Sequence, residues 1–214
     1  MERLKNKVLL FDLDGTLIDS TDAICQSFIS VFKDKGMQSP DRESIKSIIG
    51  YPLDEMFKYF GVRDKIEVFV QKYRDYYQEI YLQKTTMLPN AIRSLKEAYN
   101  FAELGVVTTK TAFYSKKILE NFNVLELFKA VIGREDVVHP KPHAEPILKA
   151  MEFFNKDSIF YMIGDTSLDI QAAVNAGVVP IPVSSGYESR DKLQARGFRV
   201  FNDTLEAVLF IKES

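Results

Sequence analysis

The chain is poor in the residues that mark secreted and membrane proteins. Among its 214 residues only Cys25 is a cysteine, which excludes an intramolecular disulfide. No stretch reaches the roughly 20 consecutive apolar residues that a membrane-spanning helix needs. We interpret Cys25 as a packing residue of a helix, and its isolation fits a reducing compartment. The sequence therefore predicts a cytoplasmic protein with no membrane partner.

The chain also lacks an excess of either charge. Its 28 Lys and Arg residues nearly balance its 30 Asp and Glu residues, for a net charge of −2. Binding to nucleic acid or to an anionic membrane surface depends on a positive field that this chain does not generate. We therefore expect no nucleic-acid partner, and an anionic ligand would have to be attracted by a few local groups.

The hydrophobic pattern changes once along the chain. Apolar residues three and four positions apart predict helices at 20–33, 42–49, 53–60 and 64–82, and no strand pattern interrupts this stretch. Short apolar segments then alternate with helical patterns, which predicts strands at 102–108, 130–133, 159–163, 178–183 and 199–201. A further buried strand precedes Asp12. Such alternation is typical of a parallel sheet covered by helices.

These patterns predict an α/β fold with a Rossmann-like parallel sheet flanked by helices and an inserted, all-helical cap. Residues 1–15 and 85–214 would form the core domain, and residues 16–84 the cap domain. Ligands of such sheets bind outside the carboxyl ends of the strands. The polar residues at those ends are therefore the candidates for a site.

The first strand ends in the sequence DLDGT, which contains Asp12 and Asp14. Residues two apart in a strand point to the same face, so the two carboxylates can approach one another. The simpler interpretation is a strand-to-turn transition, because Asp, Gly and Thr are common in turns. Paired carboxylates nevertheless repel unless a cation is present, and Mg²⁺ prefers such oxygen ligands.

Other strand ends carry polar residues too. VVTTK supplies Thr108 and Thr109, whose hydroxyls suit either a strand or an oxyanion site. HPKPH holds Lys141 between two prolines, where it is either a solvated surface charge or a lysine aimed at one point. GDTSLD supplies Asp165 and Asp169, which could simply cap a helix. Four coincidences of this kind are less plausible than one common site.

The two histidines of the chain, His139 and His143, flank the Lys141 segment. Two imidazoles could bind a transition metal if a third ligand joined them. The sequence places no obvious third ligand beside them, so we assign them no role.

In this order, DLDGT, VVTTK, the Lys141-Pro142 pair and GDTSLD resemble the four motifs of the haloacid dehalogenase-like hydrolase superfamily. The resemblance covers essentially the whole chain, including a helical cap after the first strand. The phrases IIGYPLDEM (48–56) and SSGYES (184–189) are similar to those of the phosphoglycolate phosphatase-like branch. Thr109 departs from the branch, which commonly has Asn there.

The resemblance implies a phosphatase that hydrolyses a small phosphate monoester through an aspartyl-phosphate. Asp12 would be the nucleophile, and Asp14 the general acid and base. Mg²⁺ would be the cofactor, held by the Asp12 carboxylate, the Asp14 main-chain carbonyl and Asp165. The partner would be a small phosphorylated metabolite.

The resemblance also assigns supporting roles. Thr108, Thr109 and Lys141 would contact the transferring phosphoryl group, and Asp169 would orient Lys141 or a metal-bound water. The cap would select the leaving group through the loop that contains Tyr51 and Leu53.

Three other functions stay open for a chain with these motifs. A phosphotransferase of the β-phosphoglucomutase type shares the core motifs, although the Gly50-Tyr51-Pro52 loop lacks the basic residue expected there. A pyrophosphatase would differ only in its leaving group. A phospho-receiver signalling module also combines an acceptor aspartate, Mg²⁺ and a lysine, but it is shorter and has no cap. A dehalogenase is disfavoured because its relatives lack an acid equivalent to Asp14.

Overall fold

The computed structural model describes residues 6–214. Its strands are Lys7–Phe11 (β1), Ile18–Asp19 (β2), Thr86–Met87 (β3), Glu103–Val107 (β4), Phe128–Ile132 (β5), Ile159–Gly164 (β6) and Val179–Pro182 (β7). Its α-helices are Thr21–Asp34 (α1), Arg42–Lys46 (α2), Leu53–Tyr59 (α3), Ile66–Ile80 (α4), Ala91–Tyr99 (α5), Ala112–Asn121 (α6), Glu145–Met151 (α7), Ser167–Ala176 (α8), Arg190–Gln194 (α9) and Thr204–Glu213 (α10).

Five of the strands form one parallel sheet in the order β5-β4-β1-β6-β7. The continuous apolar run of β1 occupies its centre, because a strand covered on both faces has no polar side to present. Leu9 and Phe11 pack on one face with α5, α6 and α10. Val8 and Leu10 pack on the other face with α7 and α8. The predicted Rossmann-like α/β fold is confirmed.

Strand β1 lies between β4 and β6, so the chain leaves β1 toward one side of the sheet and returns on the other. The three central strands end side by side, at Phe11, Val107 and Gly164. This reversal of strand order opens a crevice at the carboxyl edge of the sheet. The segments that follow β1, β4 and β6 are therefore brought together there.

The helices α1 to α4 pack around a hydrophobic core of their own, and we call residues 21–80 the helical insert. Its core is largely aromatic. Phe28 stacks on Phe57 with ring centroids 4.5 Å apart, and Tyr73 meets the edge of Phe28 at 5.2 Å. All three rings are buried. These aromatic contacts hold the helices of the insert together.

Two short strands flank the helical stretch predicted at 20–82. The two segments that connect the insert to the sheet pair with one another, since β2 and β3 form a two-stranded antiparallel ribbon. Each strand contains two residues, which is too short to produce an alternating pattern in the sequence. The predicted domain boundaries at 15/16 and 84/85 stay predictions.

The prediction of a strand at 199–201 is wrong, because the structure has no strand there. Only Phe201 pairs, through an isolated parallel bridge to Val183. The chain then turns at once, because the Asp203 side chain accepts a hydrogen bond from Glu206 N and caps α10. Within residues 6–214, no helix combines the length and the apolar character that crossing a membrane requires.

Candidate active site

Asp12 lies at the carboxyl end of the central strand. Its amide donates to the Ile163 carbonyl at 2.8 Å, so the neighbouring strand β6 still holds the backbone at this residue. Its side chain is buried, with 4 % of the residue surface exposed. The apolar run of β1 thus ends in a carboxylate that is almost fully buried.

Lys141 is the counterion of Asp12. Its ammonium lies 2.8 Å from Asp12 Oδ1 and 2.6 Å from Asp169 Oδ1, and it also donates to the Val107 carbonyl at 3.1 Å. The residue is 4 % exposed, so the interpretation as a solvated surface lysine is wrong. Although burial lowers the pKa of Lys141, the two carboxylates raise it above its ordinary value. Lys141 is therefore a permanent cation of the site.

Asp165 and Asp169 follow β6 and complete the acidic cluster. Asp165 accepts hydrogen bonds from Thr16 Oγ1 and from Tyr187 N, both at 2.8 Å. Asp169 caps α8 with one oxygen, which accepts from Thr166 N and Thr166 Oγ1, and it holds Lys141 with the other. The helix-capping interpretation of Asp169 is thus correct but incomplete, because the same carboxylate orients the lysine.

Two glycines make room for Asp165. A Cβ added at Gly15 would lie 2.3 Å from Asp165 Oδ2, and one added at Gly186 would lie 2.0 Å from it. Gly15 also has a φ of +83°, a conformation that other residues rarely adopt. The backbone therefore packs directly around this carboxylate, and neither position tolerates a side chain.

Three carboxylates and one ammonium leave the site short of positive charge. Oxygens of Asp12, Asp165 and Asp169 all lie within 4.8 Å of one another. Burial, with the neighbouring Asp169 and Asp14, raises the pKa of Asp12 from 3.8 to about 7 against the opposing effect of Lys141. Burial and the charges of Asp12 and Asp169 raise the pKa of Asp165 well above its ordinary value. A divalent cation would offset this repulsion, and a cluster of hard oxygen donors fits Mg²⁺.

Asp14 faces a different set of partners. Its Oδ2 lies 3.2 Å from the Lys110 ammonium, and its Oδ1 accepts a hydrogen bond from Ser20 Oγ. Lys110 also donates to Tyr77 Oη of the insert, at 2.7 Å. The Asp14 carboxylate is not part of the acidic cluster of Asp12, so only its main-chain carbonyl is left for the predicted metal contact. That contact stays a prediction.

Sequence reasoning missed the roles of Ser20, Lys110 and Tyr77. Ser20 occupies the N-cap position of α1, yet its hydroxyl bonds to Asp14 and not to the helix. Tyr77 lies on the buried face of α4 and looks like a packing residue in the sequence. Only the contact of its hydroxyl with Lys110 shows a further role. Lys110 was visible in VVTTK, but its distance from Asp14 depends on the fold. None of these contacts has a local sequence signal.

The two threonines after β4 separate in space. Thr108 is buried, and its hydroxyl accepts a hydrogen bond from Lys110 N at 3.1 Å. Thr109 turns toward the insert, where its hydroxyl donates to the Gly50 carbonyl at 2.9 Å. Thr108 is thus beside the site, whereas Thr109 joins the sheet edge to the insert. The phosphate contact predicted for Thr109 stays a prediction. Such a contact would require the hydrogen bond to Gly50 to break or to be shared.

A cavity of about 720 Å³ lies between the insert and the strand ends. Asp14, Thr109 and Lys110 line it from the sheet side, and Tyr51 and Leu53 line it from the insert. Tyr51 is 45 % exposed, so its ring is available for contact. The structure therefore brings the predicted selectivity residues to the same cavity as Asp14.

The statement that His139 and His143 have no third ligand nearby is wrong. Glu145 approaches both, because its carboxylate lies 2.9 Å from His139 Nδ1 and its amide donates to His143 Nδ1 at 3.0 Å. Hydrogen bonds from the amides of Val138 and His139, together with the His139 ring, hold the pKa of the Glu145 carboxyl at about 2. Glu145 has no distinguishing feature in the sequence, because an acidic residue in the first turn of a helix such as α7 is common.

The buried pair of Asp12 and Lys141 and the acidic cluster lie together at the carboxyl edge of the α/β sheet, where the sequence motifs predicted a site. Residues 9–183 match the model of the haloacid dehalogenase-like hydrolase family. The chain belongs to this family, and the predicted resemblance is confirmed.

Individual relatives agree with this assignment. The chain is 33 % identical to a protein named probable phosphatase IndB from Dickeya dadantii, over 94 % of this chain and 91 % of that one. It is 31 % identical to pyrophosphatase PpaX of Bacillus cereus, over 90 % and 89 % of the two chains. A crystal structure titled a predicted phosphoglycolate phosphatase, from Haemophilus somnus, superimposes with a TM-score of 0.83 at 25 % identity and covers 98 % and 99 % of the two chains.

The charge shortage makes the stability of the metal-free protein depend on pH. The pKa of Asp12 is about 7 in the folded state and 3.8 in the unfolded state, so the folded state binds this proton more tightly. The resulting stabilisation is fully present below pH 3.8 and is lost as the pH rises through about 7. Asp12→Asn removes this group. We expect the variant to gain stability over the wild type by up to a few kcal/mol between pH 4 and pH 8, since each pKa unit is worth about 1.4 kcal/mol.

Urea unfolding in EDTA at several pH values measures this difference. Asp64→Asn is the matched control, because Asp64 is exposed on the insert and should leave the pH profile unchanged. A stability difference between Asp12→Asn and wild type that is the same at both ends of the pH range would contradict the assignment.

Proposed function

We propose that this protein is a Mg²⁺-dependent phosphatase that hydrolyses a small phosphate monoester, of the phosphoglycolate type, through an aspartyl-phosphate on Asp12. The observation that carries the proposal is the buried contact of 2.8 Å between Asp12 and Lys141 at the carboxyl edge of the sheet. A buried carboxylate held by a fixed ammonium is suited to attack an anionic group that the same ammonium attracts. The names of the relatives support a phosphatase.

In the first step, an Asp12 carboxylate oxygen attacks the phosphorus, and the bond between phosphorus and the ester oxygen breaks. Asp14, protonated at this stage, gives its proton to the departing oxygen, so the alcohol leaves neutral. Lys141 and the Thr108 hydroxyl offset charge on the phosphoryl oxygens. The products of this step are the alcohol and the phosphorylated enzyme.

In the second step, a water molecule attacks the same phosphorus and loses a proton to the Asp14 carboxylate. The bond between Asp12 and phosphorus breaks, phosphate is released, and Asp14 is again protonated for the next turnover. Lys110 and Ser20 hold Asp14 in place for both transfers, because they contact its two oxygens. Asp169 keeps Lys141 aimed at Asp12.

Asp12, Asp165 and the Asp14 carbonyl would hold Mg²⁺, which when bound supplies the missing positive charge and draws the phosphoryl oxygens toward Asp12. The helical insert would act as the cap that excludes water and chooses the leaving group. Tyr51 and Leu53 are the residues proposed to make that choice, since both line the cavity beside Asp14. A cytoplasmic location stays a prediction from the cysteine content.

A pyrophosphatase is the second candidate, because the chain is 31 % identical to pyrophosphatase PpaX over 90 % of its length. The chemistry at Asp12 would be unchanged, and phosphate would replace the alcohol as leaving group. Steady-state kcat/KM values for phosphoglycolate and for pyrophosphate, measured with Mg²⁺ in excess, decide between the two substrates.

Replacing the nucleophile should abolish turnover without unfolding the protein. Asp12→Asn should lower kcat by about 10³-fold or more, because an amide cannot attack phosphorus. Lys141 keeps Asp169 as its counterion, so the fold should persist. EDTA should abolish wild-type activity, and Mg²⁺ should restore it. Assays with p-nitrophenyl phosphate test both expectations, with Asp64→Asn as the control that stays active; near-normal turnover by Asp12→Asn would refute the nucleophile assignment.

Replacing the general base should instead trap the intermediate. Asp14→Asn cannot take the proton of the attacking water, so the aspartyl-phosphate should persist. A substrate with a good leaving group needs little protonation, so the first step should still occur. Mass spectrometry after rapid acid quench should find phosphate on Asp12 of this variant. Absence of the adduct, or normal steady-state turnover, would count against the role of Asp14.

A further inference from the structure

Both histidines of the chain meet in one place outside the acidic cluster. Their rings are 4.7 Å apart between centroids and inclined by 35°. Glu145 completes the group, and a donor atom from each of the three residues lies within 4.8 Å of the other two. The proposed phosphatase mechanism uses none of these side chains, so their convergence needs a separate explanation.

The donor set has a definite chemical preference. Two imidazoles and one carboxylate suit borderline transition ions such as Zn²⁺, whereas Mg²⁺ prefers oxygen donors alone. A tetrahedral ion would take these three residues and leave its fourth position to water. We propose that His139, His143 and Glu145 form a surface site for a Zn²⁺-type divalent ion.

The loop holds the three donors close to the arrangement that an ion needs. The Glu145 carboxylate accepts hydrogen bonds from the amides of Val138 and His139 at 2.8 and 2.9 Å. These two hydrogen bonds hold the carboxylate against the loop. Donor atoms around a tetrahedral Zn²⁺ lie roughly 3.4 Å apart, given bonds of about 2.1 Å. The donor atoms already lie within 4.8 Å of one another, so a modest side-chain rotation can bring them to this spacing. The His139 side chain is 63 % exposed, which leaves space for its ring to turn once its contact with Glu145 is released.

Two hydrogen bonds would be exchanged when an ion binds. His143 Nδ1 now accepts the Glu145 amide, and His139 Nδ1 lies against Glu145 Oε2. Each ring could release its contact to present a lone pair to the ion, at the cost of one partly exposed hydrogen bond. That cost is small beside the affinity of a site with three ligands.

The position of the site gives it a consequence for the catalytic lysine. His139 and His143 lie two residues before and two residues after Lys141. An ion bound to both would tie the two ends of the Lys141 segment to the first turn of α7. The site would thus stiffen the segment that aims the ammonium at Asp12.

Titration with ZnCl₂ tests the proposal on protein without an affinity tag and with Mg²⁺ in excess to occupy the acidic cluster. The chain contains two histidines, so NMR spectra of the imidazole nitrogens hold signals from two rings alone. We expect both rings to shift on Zn²⁺ addition, with one ion bound per chain by calorimetry. Circular dichroism confirms that each variant below is folded.

Three variants assign the ligands. His139→Gln and His143→Gln should each weaken Zn²⁺ binding at least about tenfold, and Glu145→Gln should do the same. Glu152→Gln is the matched control, since this exposed residue lies at the other end of α7 and should not change the affinity. Imidazole signals that do not move, or a Zn²⁺ affinity that is unchanged in both histidine variants, would overturn the proposal and leave these residues as a hydrogen-bonded loop brace.

Discussion

The contact on which the rest of the site depends is the one between Lys141 and the carboxylates of Asp12 and Asp169. Taking an isolated charge out of water is costly, and a single buried ammonium cannot neutralise the three acids around it. The cluster is therefore tolerable only with a bound proton or a second cation. The shortage of positive charge arises from the fold, because the ends of β1 and β6 lie side by side and bring their carboxylates together. It also matters for the proposed chemistry, because a dianionic phosphoryl group must approach a carboxylate.

The helical insert and the sheet share the site. Tyr77 of the insert reaches Lys110, which holds Asp14, and the Gly50 carbonyl receives the Thr109 hydroxyl. Asp12, the proposed nucleophile, is held by the sheet domain alone, whereas the position of Asp14 depends in part on the insert. A movement of the insert would thus act first on proton transfer and on the cavity, and leave Asp12 and Lys141 in place.

The sequence was sufficient to predict those parts of the structure in which the local hydrophobic pattern agrees with the overall fold. Continuous apolar runs identify β1, β4 and β6, and the polar residues after them converge as the strand-end rule predicts. Lys141 was ambiguous in the sequence, because a proline-flanked loop lysine is usually solvated, and only the fold shows it buried against two carboxylates. Four further residues could not be identified from the sequence for the same reason: Ser20, Lys110, Tyr77 and Glu145. Each is recognisable only by a neighbour distant in sequence or by the orientation of its side chain. The ribbon of β2 and β3 was too short to leave a pattern.

The linkage between Mg²⁺ and protons tests the charge shortage most directly. If Mg²⁺ supplies the missing positive charge, it must lower the pKa of Asp12 from about 7, so that binding releases protons. Calorimetric titration with Mg²⁺ in buffers of different ionisation enthalpy measures this release. We expect protons to be released at pH 6, fewer of them from Asp12→Asn than from the wild type, and we expect Asp12→Asn to bind Mg²⁺ more weakly. Binding of Mg²⁺ at pH 6 with no proton release, or equal affinity in the variant, would contradict the charge assignment at the centre of the site.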